Sequence, residues 1–145
     1  MALGEYELEL LGNIYRNAEM GRDGLYTVLR KTDDTAFRKL VATQLMEYQS
    51  IMDEAEELLQ TAGYAPTGSP RVARMMVQMT ACRKASQDNT PSALADMLIQ
   101  GSCMGVTKIM KQITRYDNRS EECLDLARRL QKTEENNIHQ MKQYL

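Results

Sequence analysis

The one histidine of the chain, His139, falls in the stretch Glu134-Glu135-Asn136-Asn137-Ile138-His139-Gln140-Met141, beside two carboxylates and a pair of asparagines. Carboxylates and imidazoles a turn apart on a helix are the arrangement that holds a metal ion or moves a proton, so chemistry is sought here first. At about 100° per residue, His139 lies roughly 140° around the helix from Glu134, on the outer face with Glu135. The spacing therefore predicts a solvated His139 whose natural partner is Glu135. Glu134 and Asn137 instead fall on the stripe Cys123, Ala127, Leu130, Glu134, Asn137, Met141 and Leu145. Two polar residues one turn apart in an otherwise apolar stripe belong in or near a core, and a carboxylate there needs a partner or a proton.

No other group of residues offers stronger chemistry. With His139 off the core face, no Ser or Cys has a base and an orienting group beside it, so no catalytic residue is expected. Gly12, Gly21, Gly24, Gly101 and Gly105 form no phosphate loop and read as points of close helix approach. Cys82, Cys103 and Cys123 are odd in number and widely spaced, which argues against a disulfide framework and for buried thiols in a reducing compartment. Asp53, Glu54, Glu56 and Glu57 crowd a helix end where the macrodipole disfavours them. They call for cations such as Arg71 or Arg74, and their helical spacing lacks the loop that calcium requires. Met75, Met76, Met79, Met97, Met104 and Met110 recur at helical spacing and read as core filler, with a pliable binding surface as the other reading.

The elements that must position these residues are helical. Leu11, Ile14, Ala18, Gly21, Leu25 and Val28 recur at spacings of three and four, predicting a first helix that ends near Lys31. Thr32-Asp33-Asp34 supplies cap oxygens for a second, with inward set Phe37, Leu40, Val41, Gln44, Leu45, Tyr48, Ile51, Met52, Ala55, Leu58 and Leu59; Gly63 stops it. Ser69-Pro70 and Thr90-Pro91 each read as an N-cap followed by a first-turn proline. The first opens a shorter helix through Val72, Met75, Met76, Met79 and Cys82, and the second a long helix running to about Tyr116. Asn118 and Glu121 have the spacing of a capping box for the last helix. No window alternates with the period of a half-buried strand, so the class is all-α. Four long segments suggest a four-helix bundle of two hairpins, with residues 64 to 90 as the one connection able to climb its whole length. Glu19-Met20-Gly21 and Cys103-Met104-Gly105 occupy comparable positions in the two hairpins, a hint of internal duplication.

At 145 residues the chain fits one domain, 1–145, and 43% hydrophobic with 26% charged residues is ordinary for a globular protein. A net charge of -2 supplies no field to attract nucleic acid. No apolar run is long enough to span a bilayer, and the amino-terminal stretch carries acids where a signal peptide needs positive charge, so a cytoplasmic protein is expected.

Helix order, crossover and carboxylate positions together resemble the ferritin-like superfamily, including its rubrerythrin-type and spore-coat-type bacterial members. The resemblance spans essentially the whole chain and rests more on helix order than on an intact motif. It implies two metals held by a glutamate from each of two helices and a Glu-x-x-His from each of the other two. Glu19 matches the first-helix glutamate, and Tyr26 an aromatic frequent in the rubrerythrin type. Glu47 and Glu134 match the glutamates of the two Glu-x-x-His motifs, whose histidine positions are occupied by Ser50 and Asn137. Cys103 stands at the third-helix glutamate. A chain with one histidine cannot supply two such motifs, so the di-metal site is degenerate. What remains is a polar network in which Asn137, Ser50, Tyr48, Gln44 or Arg22 satisfies Glu19, Glu47 and Glu134. The other reading is a reduced site at those glutamates: Mn or Mg suits carboxylates better than Fe, and Zn would recruit Cys103. The expected function is a non-enzymatic structural or interaction module, self-associating as a dimer or binding a protein partner; the alternative is a metal-binding or redox protein built on the reduced site.

Overall fold

The computed structural model describes residues 3–115 and 121–145, and all regular structure within them is helical. Helix α1 spans Glu5–Lys31, α2 Thr35–Thr61, α3 Arg71–Gln87, α4 Pro91–Arg115 and α5 Glu121–Met141, followed by a 3-10 turn at Lys142–Tyr144. Local chemistry accounts for most of the ends. The Asp34 carboxylate accepts from the Phe37 amide at 2.8 Å, satisfying an orphan donor at the start of α2. Gly63, at φ 88°, supplies the left-handed residue that closes α2, with its amide bonded to the Gln60 carbonyl. Thr90 caps α4 through the Ala93 amide at 3.2 Å, and Pro91 follows as the first helical residue. The start of α3 departs from expectation: the cap position is Pro70, one residue later than Ser69, and no side chain caps it. Ser69 has another task, described below. The proposed box at Asn118 and the side chains at 72 and 75 lie outside the described residues.

Inter-helix bonds give the directions. Arg38 bonds the Leu29 and Thr32 carbonyls beside the short link, while Arg22, further back along α1, reaches Gln49, further on along α2, so α1 and α2 are antiparallel neighbours. Arg129 bonds Ser50 and Glu54 while Gln44 bonds Gln140, so α5 runs antiparallel to α2. Gly105 of α4 packs on Glu134 of α5 and on Asn17 of α1. The connection between the hairpins rises beside α1: Arg16 bonds the Thr67 carbonyl, Glu19 meets Ser69, and Asp23 meets Arg74. Each step along α1 is matched by a step in the same direction along 67–74, so this segment climbs and α4 returns, parallel to α2.

Between these helices lies an aliphatic core with Leu11, Ile14, Val28, Phe37, Val41, Ile51, Ile109 and Leu130 fully buried. Burial of this kind stabilises by about 1.5–3 kcal/mol per large side chain. The 3-10 turn closes one end by setting Tyr144 edge-on to Phe37, ring centroids 4.9 Å apart. The α5 stripe is buried from Cys123 to Met141 but does not extend to Leu145, which is 64% exposed. The methionines depart furthest from the core-filler expectation. Met76, Met79, Met104 and Met110 are exposed, and Met97 is half-buried. For Met76 and Met79 the reason is geometric: α3 rests on α1 and meets only the start of α4, so one face of it packs and the rest meets solvent.

Candidate functional site

Two groups of buried polar residues stand out, one at the centre of the helices and one beneath the crossover. At the centre, Glu134 is 2% exposed and Asn137, one turn later, is equally buried. Glycine makes room for them. A Cβ on Gly105 would lie 1.9 Å from the Glu134 carboxyl and 2.9 Å from Asn17 Oδ1, so only glycine lets α4 and α5 close here. Asn17 ties α1 to the same point by donating to the Gly105 carbonyl at 3.1 Å. Gly21 does the same for Tyr48, whose ring would stand 2.5 Å from a Cβ. The two glycines thus play matching parts in the two hairpins, and the inward residues that they admit are Tyr48 and Glu134.

The Tyr48 hydroxyl is the hydrogen-bond partner of Glu134, with Ser102 and Asn137 alongside. Burial dominates the electrostatics. It pushes the Glu134 carboxyl up to about 8, and the Tyr48 hydroxyl only partly offsets that rise. Burial, and then the nearby Glu134, raise the Tyr48 phenol well above its ordinary range. Both groups therefore carry their protons at neutral pH. Among the described residues, Glu134 Oε1 and both amide atoms of Asn137 lack a partner at full hydrogen-bond geometry, although Asn137 stands beside the Tyr48 hydroxyl. A neutral acid beside a neutral phenol and an amide can exchange hydrogen bonds.

Beneath the crossover, Glu19 and Asp23 are buried on the face of α1 away from that centre. The Ser69 amide donates to Glu19 at 2.9 Å, and a Cβ on Gly68 would lie 2.9 Å from the same carboxylate. Arg74 bonds Asp23 Oδ2 through Nε at 3.1 Å and Nη2 at 2.9 Å, and its Nη1 stands 3.7 Å from Glu19. Hydrogen bonding to Asp23 holds the guanidinium charged. These two carboxylates fasten the crossover to α1.

The sequence candidates are therefore dispersed. Glu134 and Asn137 point into the core and Glu19 toward the crossover, while Glu47, Ser50 and Cys103 are exposed. Among the described residues, no group of three or more His, Cys, Asp or Glu is arranged to hold a metal ion. Glu47 and Cys103 are exposed and do not join Glu19 and Glu134 in such a group. Nor does the shared network expected to satisfy all three glutamates form. Tyr48 serves Glu134, Ser69 and Arg74 serve Glu19, Gln44 turns to Gln140, and Arg22 to Gln49 and Asp23. Tyr26 is also exposed. Of the partners that the sequence offered, Tyr48 is the one that meets Glu134, because the apolar stripe of α2 runs through Gln44 and Tyr48 and skips Glu47; the residues missed were Asp23 and Asn17.

Other candidates also sit differently. His139 is exposed as predicted, but Glu135 accepts from Gln131 at 2.8 Å instead of pairing with it. Arg74 is engaged by Asp23, so the acidic end of α2 does not receive it; Arg129 of α5 meets Glu54 there. Gly24 and Gly101 face open space, unlike Gly21 and Gly105. An open groove of about 260 Å³ lies where α3 meets α4, lined by Lys84, Asp88, Leu94, Asp96 and Met97 among others.

No protein-family model matches the chain, and none of the curated proteins matches it. Among solved structures it is similar to a crystal structure of a DUF305 fragment from Deinococcus radiodurans. The TM-score is 0.75 at 17% identity, covering 99% of this chain and 97% of that one. The likeness is one of helical fold over the full length. No helix among the described residues is long and apolar enough to cross a membrane.

Proposed function

We propose that this chain is a ferritin-like four-helix bundle in which a neutral polar core stands where the family holds metal, and that it works in the cytoplasm by association, not by catalysis. Helix order supports the bundle: two antiparallel hairpins joined by a rising crossover. The functional reading is carried by one observation, the separation of the four candidate ligands: Glu47 and Cys103 are exposed, Glu19 is engaged by Ser69 and Arg74, and Glu134 has Tyr48 as its partner. Association, with a second copy or with another protein, is supported by the methionines exposed on α3 and α4, since thioether side chains form adaptable contact surfaces. Cys82, Cys103 and Cys123, none of them in a disulfide, accord with a reducing compartment.

The test is elemental. Protein purified without chelators, incubated with Fe, Mn or Zn and desalted, should retain well under one metal per chain. Stoichiometric metal that disappears in a folded E134A variant would overturn the reading in favour of a reduced metal site.

A further inference from the structure

Helix α3 carries Arg71, Arg74, Arg83 and Lys84 and no acidic residue, whereas residues 47–61 of α2 carry Glu47, Asp53, Glu54, Glu56 and Glu57 and no basic one. The fold leaves this opposition largely unused. Arg74 is turned to α1, and among the described residues Asp53 and Glu57 have no cationic partner, nor do Arg83 and Lys84 an acidic one. The acids at the end of α2 also face the negative pole of their own helix, which adds to their need for a cation.

Both outward faces begin with exposed methionine. Met46 is 71% and Met76 65% exposed. Seven residues separate Met46 from Asp53, and seven separate Met76 from Arg83, two helical turns in each case. Laid parallel, the two faces bring methionine to methionine and arginine to aspartate together. Within one chain they cannot meet in this way, because α3 rises with α1 and α2 descends. A two-fold axis perpendicular to the helices reverses one copy, so α3 of each chain then runs parallel to α2 of the other, and both contacts form at once in a closed, isologous pair.

We propose that the outward face of α3 is the docking surface for a second copy of this chain. Met76 lies against Met46 of the partner subunit and Arg83 meets Asp53 of the partner subunit, while Lys84, adjacent to Arg83, adds positive charge near Glu57 of the partner subunit. This rests on the reading of the chain as an association module and names its partner.

The test uses the full chain in sedimentation or light scattering, with folding checked by circular dichroism. The wild-type protein is expected to be a dimer whose dissociation constant rises with salt, since exposed ion pairs are screened. The R83E/K84E and D53K/E57K variants should each dissociate about tenfold or more readily, because like charges then face one another. Mixing the two variants should restore the dimer, as should all four substitutions in one chain. A monomeric wild type, or a dimer indifferent to both reversals, overturns the proposal. Neither result touches the non-metal reading, which the metal retention assay tests separately.

Discussion

Glu134 carries its proton at neutral pH because the space between Gly105 and Tyr48 offers no counter-charge, and desolvation outweighs the one hydroxyl that favours the anion. The unfolded chain releases that proton near 4.5 and the folded chain only near 8. Stability from this group is therefore fully present below about pH 4.5, declines as the pH rises through that interval, and is lost above pH 8. Wild-type stability in urea should fall by on the order of 3 kcal/mol between about pH 5 and pH 8 from this residue, whereas E134Q, which keeps shape without a charge, should remove that slope. The inward Glu134 and Asn137 and the outward His139 were legible from helical phase alone. Glu47 was not read correctly: the family's motif was laid over a helix whose own apolar stripe, through Gln44 and Tyr48, already turned that glutamate outward.

At the scale of elements, α4 supplies a paired test of close packing. G105A drives a methyl into the Glu134 carboxyl and should destabilise by about 2–3 kcal/mol, even after the gain in helix propensity. G101A meets nothing within 4 Å and should stabilise by about 0.5–1 kcal/mol. Thermal melts of the two variants should thus shift in opposite directions, by a few degrees each. Helix α3 hangs on its carboxylate clasp. R74A leaves Asp23 and Glu19 buried with fewer partners, and amide exchange should quicken along α3 well before α2 or α5. Helix ends were readable where caps are local, as at Asp34, Gly63 and Thr90. The exposure of Met76 and Met79 was not, because periodicity says that a helix has an apolar face but not whether a neighbour covers it.

For the whole molecule, the crossover follows from chain length, since only residues 64–90 can climb between two antiparallel hairpins. That argument needed no side chain. The placement of Glu19, Glu47, Cys103 and Glu134 was not legible for the complementary reason: it depends on the rotation of each helix about its own axis, which helix order leaves undetermined. What the rotations produce is a neutral acid buried between the helices. Carbon-detected NMR titration of the Glu134 side-chain carboxyl, with and without Zn, tests this most directly. The predicted result is a midpoint near pH 8, unmoved by the metal; a midpoint near 4.5, or one displaced by Zn, would contradict it.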